Sequence, residues 1–194
     1  MFRTLAAAGI AALTFVAPAM AQQLSLSQVS SYLNTIQSAK SGFTQLNADG
    51  SISTGTLYIK RPGKVRFEYD PPEESVVLAS SGAVYIIDKK LGGQPDTYPL
   101  SRTPLSIVLD RNVDLTRSGM VTDTGYDGTA TTVTAQDPRT PEAGTIQLKF
   151  TANPIELRQW VITDQQGTPT TVVLNDLQET SLRNSFFLVD NVID

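Results

Sequence analysis

A mainly β fold is what this sequence predicts: one large antiparallel sheet, strongly curved or rolled toward a barrel, with two amphipathic helices against its concave face. Three observations carry that expectation. From Phe43 onward apolar side chains recur at every second residue, the spacing that gives a strand one apolar face. Turn chemistry punctuates the pattern at Asp49-Gly50, Pro71-Pro72, Ser80-Ser81-Gly82, Gly92-Gly93, Asp127-Gly128, Asp137-Pro138, Asn153-Pro154 and Gln166-Gly167, close enough together for meander connections. Two segments, one near Leu26 and one near Leu105, change to helical spacing.

Residues 1–21 read as a secretory signal, with Arg3 as the charged start, an apolar run from Leu5 to Val16, and Ala19-Met20-Ala21 as an A-x-A cleavage site. The mature chain is therefore expected to begin at Gln22 and to form one domain over residues 22–194. The apolar run is short of the roughly 20 residues that a spanning helix needs. Removing the signal leaves 173 of the 194 residues and takes the formal net charge from −4 to −5 with the loss of Arg3. That balance argues against nucleic acid and against an anionic membrane surface as standing partners. The sequence has no Cys, which excludes bacterial lipid attachment after the signal and leaves the exported fold to be held by burial alone.

Leu24 to Ala39 is expected to be a helix: Ser25 and Gln28 have capping-box spacing, and Leu26, Val29, Leu33 and Ile36 repeat every three or four residues. The most regular stretch is Gly55 to Pro72. Leu57 and Ile59 share a face, Arg61-Pro62-Gly63 supplies a tight turn, and Val65, Phe67 and Tyr69 share a face on the return strand. Strict alternation extends the face of Leu57 and Ile59 onto Arg61. A guanidinium keeps its charge and needs partners wherever water is excluded; a solvated position in the turn is the other reading.

Further strands are expected at Ser75–Ala79, Val84–Asp88, around Met120–Thr124, and at Thr129–Gln136, Thr145–Thr151, Ile155–Thr163 and Thr170–Leu177. Val76 and Leu78 are assigned to the inner face. So are Ile146, Leu148 and Phe150, which alternate with Thr145, Gln147 and Lys149. Between the strands, Thr103 and Pro104 read as N-cap and first residue of a short helix, with Leu105, Val108 and Leu109 on one face up to Asp110. Alternation alone does not separate a hollow interior from one filled by the two helices.

The sequence contains no His, no G-x-S-x-G elbow, no Walker loop and no H-E-x-x-H, so the usual hydrolase, nucleotide and zinc mechanisms lack their residues. Glu68, Asp70, Glu73 and Glu74 read as solvated charges rather than an acid and base pair. Asp123 and Asp127 lack the dense ligand spacing of a calcium loop. Trp160 and the tyrosines read as packing groups. No catalytic residue, metal ligand or cofactor is assigned, and the chain is read as a protein that is not an enzyme.

The stretch from Gly55 through Leu57, Ile59, Lys60-Arg61-Pro62-Gly63, Phe67 and Tyr69 to Pro72 resembles the LolA-type periplasmic carriers of outer-membrane lipoproteins. The resemblance continues through Ser81-Gly82, Tyr85, Asp88 and Leu91, through Pro99-Leu100 with Thr103-Pro104-Leu105 and Leu109, and through Leu174-Asn175-Asp176 and Phe186-Phe187. It implies an incomplete, unclosed β-barrel lidded by helices, enclosing an apolar cavity for lipoprotein acyl chains. Carried over to this sequence, the cavity wall is Leu57, Ile59, Val65, Phe67, Tyr69, Val76, Leu78, Ile146, Leu148 and Phe150. The lids carry Leu26, Val29, Leu33, Ile36, Leu105, Val108 and Leu109, and Arg61 is the latch that bonds to them.

The partners so implied are acylated lipoproteins, an inner-membrane ATP-driven releasing complex and, in many bacteria, an outer-membrane acceptor of similar fold. The chain is expected to work as a periplasmic monomer. Val65 and Phe67 stand where larger aromatics are common and Ile86-Ile87 replaces part of an aromatic cluster, departures that imply a smoother, differently shaped wall; the end from Phe186 to Asp194 lacks a Pro-Gly closing pattern, which bears on the details of delivery. A regulatory module of the same fold that senses lipids or lipoproteins is the second reading, and an exported hydrolase, without His or Cys, the third.

Overall fold

The computed structural model describes residues 22–193. The signal segment expected over residues 1–21, its cleavage after Ala21, and Asp194 lie outside them. Helix α1 (Leu26–Thr35) starts at its capping box: Gln28 N donates to Ser25 Oγ at 3.3 Å and Ser25 N to Gln28 Oε1 at 2.9 Å. It stops at Thr35, not at Ala39 as expected. Ser38 pairs with Lys60, and Ala39 with Ile59 and Glu179, so tertiary pairing overrides the helical spacing there.

The strands follow in order: β1 (Ser38–Leu46), β2 (Ile52–Lys60), β3 (Lys64–Tyr69), β4 (Ser75–Ser80), β5 (Ala83–Asp88) and β6 (Asp96–Pro99). A 3-10 turn at Leu100–Arg102 leads to the single-turn helix α2 (Leu105–Val108). Then come β7 (Val121–Tyr126), β8 (Ala130–Ala135), β9 (Thr145–Thr151), β10 (Glu156–Thr163), β11 (Pro169–Leu174) and β12 (Gln178–Glu179), and finally α3 (Asp190–Ile193). β6 and β12 have no sequence counterpart in the expectation, being short and wholly exposed, with no apolar face to alternate. Thr103 does not cap α2 with its side chain. Pro104 is the cap residue, and Thr103 Oγ1 donates back to Leu100 O at 2.9 Å.

Every ladder is antiparallel, in the order β6-β5-β4-β3-β2-β1-β11-β10-β9-β8-β7, with β12 on the first part of β1. The sheet is one unclosed layer whose edges are β6 and β7. Its curvature shows in the core, where Val84 of β5 and Val133 of β8, near opposite edges, bury into the same cluster. Because β6 and β7 are the two edges, the chain between them crosses the concave side. That crossing carries α2 and buries Val113, Leu115 and Met120.

A second, smaller core lies on the other face of β4 and β5. There Val76, Leu78 and Ile87 bury against Phe187 and Val192, with Tyr58, Leu182 and Phe186 around them. The C-terminal segment is pinned over this face by Lys60 Nζ, which donates to Leu182 O at 2.5 Å, and by Arg66 Nη1, which donates to Phe186 O at 2.9 Å. The Arg66 guanidinium also sits 4.4 Å over the Phe186 ring.

Candidate functional site

The inner wall follows from register. Leu57 pairs with Phe67 and Ile59 with Val65, so same-face residues of β2 and β3 oppose each other and bury together. Ile146, Leu148 and Phe150 of β9 are fully buried in the same cluster. Gly55 lies opposite Phe43, where an added Cβ would stand 2.0 Å from Glu68 O and 2.8 Å from the Phe43 ring; only glycine lets that ring lie flat on the strand. Phe43 in turn meets Phe67 and Tyr69 edge-on, at 5.4 and 5.2 Å between ring centres. Tyr69 donates to Gln45 Oε1 at 2.8 Å, and burial pushes its phenol pKa up to about 12.

Val76 and Leu78 are a correction. They were expected on the inner wall and lie on the outer face, under the C-terminal segment. Phe67 pairs with Val77 and Val65 with Ala79, so Val77 and Ala79 are the inward residues of β4. Ser75–Ser80 is apolar at both parities, and alternation carries no face information in such a strand.

The helices close the concave side. Val29 and Leu33 of α1 and Leu105 and Leu109 at α2 are buried in the main core, with Leu26, Ile36 and Val108 packed against it. Arg61, 7% exposed, reaches both lids. Its Nη1 donates to Leu33 O, its Nη2 to Asn34 Oδ1 at 3.0 Å and to Asp110 O at 2.5 Å, and its Nε to Asp110 O at 2.9 Å. Burial pulls its pKa down from the ordinary arginine value, with the Asp110 carboxylate opposing, and the group stays charged. Gly63, with φ +71°, donates its backbone N–H to Leu109 O at 2.8 Å, so the turn holds α2 as well.

Sequence reasoning missed Ser30 and Asn34, one helical turn apart on α1. Leu115 N donates to Ser30 Oγ at 3.0 Å, and Asn34 exchanges two 2.9 Å bonds with the backbone of Val113. They join α1 to the crossing segment as a single lid. Two polar residues spaced four apart beside an apolar stripe were the available signal. Asp110 contributes its carbonyl, which no side-chain pattern announces.

Two spaces remain between lid and sheet. Beneath Arg61, among Leu33, Ile59, Val65, Val108 and Leu157, the void is only about 20 Å³, so this end is nearly solid. Toward the other end a cleft of about 430 Å³ opens between Phe67, Tyr69, Val77, Ile86, Tyr98 and Ile162, with Arg102, Asp164 and Gln166 at its rim. Trp160 and Leu105 line both spaces.

The carboxylates weighed in the sequence serve local structure. Glu68 pairs with Arg66 at 2.5 Å, Asp70 accepts from Thr54 at 2.8 Å, and Glu73 accepts from Ser53. Asp127 accepts from the backbone of Thr129 and Ala130, which, with Lys149, holds its pKa down to about 2. No cluster of three or more His, Cys, Asp or Glu stands together among the described residues.

A half-rolled sheet with an apolar concave face, a two-part lid and an opening cleft defines a binding fold for apolar ligands. Residues 34–190 match the family described as outer membrane lipoprotein carrier protein LolA. An outer-membrane lipoprotein carrier protein of Cupriavidus taiwanensis is 27% identical over 193 residues, covering 91% of this chain and 88% of that one. One from Coxiella burnetii is 27% identical over 170 residues, covering 84% and 75%. Among solved structures, a DUF1329 family protein of Desulfovibrio piger superposes with a TM-score of 0.50 at 9% identity, over 86% of this chain and 96% of that one. A LolA superfamily protein of Nitrosomonas europaea gives 0.46 at 11%, over 87% and 99%. The chain belongs to the LolA family of outer membrane lipoprotein carriers.

Proposed function

We propose that this protein is a periplasmic shuttle, not an enzyme, that takes the acyl chains of lipoproteins into its concave face and releases them at the outer membrane. The observation that supports this best is Arg61. A single buried cation bonds to carbonyls from both halves of the lid, Leu33 and Asp110, above a space with almost no free volume. A cation spent on lid contacts is the arrangement expected of a latch. The open cleft offers about 430 Å³, whereas the space beneath Arg61 offers almost none, so acyl chains reach that end only when the lid lifts and the Arg61 bonds break.

Burial of acyl chains is worth about 0.8 kcal/mol per methylene, so an anchor does not cross water unshielded. Loading in this reading is driven by an ATP-dependent complex in the inner membrane, and unloading by lid closure, directly at the outer membrane or onto an acceptor there. The exported chain begins at Gln22 after cleavage behind Ala21 and acts as a monomer. The wall is Leu57, Ile59, Val65, Phe67, Tyr69, Ile146, Leu148 and Phe150, with Val77 in place of Val76 and Leu78. The test is to recover the protein from periplasm and identify what accompanies it by mass spectrometry. Triacylated lipoprotein is the expected companion; free phospholipid alone would overturn the proposal.

A further inference from the structure

Trp160 is the single tryptophan of the chain and sits mid-strand in β10, between Leu148 of β9 and Val172 of β11. It is 2% exposed, meets Phe67 edge-on at 6.2 Å, and with Leu105 is shared by the open cleft and the small void. Leu105 belongs to the lid and Trp160 to the fixed wall. The partition between the two spaces is therefore one lid residue against one wall residue.

The ring fits an apolar wall, but its polar atom does not. Trp160 Nε1 is buried and has no hydrogen-bond acceptor among the described residues. An indole nitrogen can only donate, and folded proteins supply acceptors to nearly all buried donors. Ser38 Oγ and Arg66 Nε also lack partners among the described residues, at outward positions of β1 and β3; on the inner side the other buried polar groups are answered. The Arg61 guanidinium has Leu33, Asn34 and Asp110, Tyr69 Oη has Gln45, and Ser30 Oγ donates to Leu26 O while accepting from Leu115. A phenylalanine would fill this wall without leaving a donor unpaired.

We infer that the acceptor is supplied by the cargo: Trp160 Nε1–H donates to the carbonyl oxygen of a fatty-acyl ester once α2 lifts and the two spaces join. The inference rests on the carrier reading and adds a ligand class and a register to it. Hydrocarbon against an apolar wall has no preferred stopping point along its length. One donor at a fixed depth gives it one, because each acyl chain carries one carbonyl where it meets its headgroup.

The test compares a long-chain glycerol ester with the glycerol ether of equal length, which lacks only the carbonyl. The mature chain labelled with 15N on its indole shows a single indole N–H signal. The ester is expected to move that proton downfield and the ether to leave it in place. The ester should also bind roughly three- to tenfold more tightly, the usual yield of one net hydrogen bond. Trp160→Phe should abolish the preference for ester over ether, whatever the loss of indole contact does to the affinity for both. Equal shifts with both ligands, a preference that survives in Trp160→Phe, or a proton already hydrogen-bonded to trapped water and unmoved by the ester would each overturn the inference alone. Failure of both ligands to bind would overturn the carrier reading and this inference with it. If Trp160→Phe does not fold, the indole signal of the parent protein decides.

Discussion

Arg61→Leu removes the guanidinium and leaves a shorter, apolar group beneath the lid. Four charged hydrogen bonds disappear, one to Leu33 O, one to Asn34 and two to Asp110 O. Leu33 O still accepts from Ile36 N at 3.2 Å, whereas Asp110 O loses both its bonds. Bonds to charged groups contribute about 1.5 to 3 kcal/mol each, but a lifted lid lets water replace part of that. Counting roughly one net bond per half of the lid gives about 3 kcal/mol of closure, or about a hundredfold in equilibrium constant. Closure competes with cargo, so the variant should bind an acyl probe more tightly by up to that factor. It should also hand cargo on poorly. The assay measures probe affinity by titration and transfer from purified loaded carrier to outer-membrane vesicles. Arg61→Lys, which keeps the charge but loses the planar fork, should fall between parent and Leu. Unchanged affinity together with complete transfer by Arg61→Leu would refute the latch.

Phe67→Glu places a carboxylate in the cleft wall between Phe43 and Trp160 and should abolish acyl-probe binding, with circular dichroism confirming the fold. A folded variant that binds normally would put Phe67 outside the site. Val77→Glu and Leu78→Glu should separate by face. The first should cost probe affinity and the second should loosen the C-terminal segment, read as new protease cleavage after Leu177 without loss of binding. Burial pushes the Tyr69 phenol from its ordinary 10 up to about 12, which favours the protonated form on folding. Its contribution is complete below pH 10 and disappears as pH rises through 12, about 3 kcal/mol in all. Tyr69→Phe should therefore flatten the alkaline fall in urea midpoint, and an equally steep fall in the variant would locate the titration elsewhere.

What could be read without the structure was set by how one-sided each segment is. β2, β3 and β9 alternate apolar with polar residues, so Leu57, Phe67 and Leu148 could be placed inward from alternation alone. β4 has two dry faces and misled, because its outer cover comes from residues far along the chain. α1 was overextended for a related reason: Ser38 and Ala39 fit a helix locally, and pairing to β2 and β12 decides otherwise. Asn34 and the carbonyl of Asp110 were illegible because their roles depend on where Arg61 ends up. Whether the interior is filled or hollow turned on packing volume, and it is both, solid under Arg61 and open beyond Trp160.

The outer cover of β4 has a consequence for how the polypeptide is made. Val76, Val77 and Leu78 lie in a run that is apolar on both sides, the composition that favours pairing between chains when left bare. Its inner side is served by the sheet and lid, but its outer side waits for Phe187 and Val192, which lie far along the chain from β4. Until that segment arrives, a nascent molecule carries an adhesive stripe, and one trimmed after Glu179 keeps it permanently. The segment from Leu182 to Val192 thus acts as a built-in guard against self-association, and cleavage within it will affect solubility sooner than it affects the concave face.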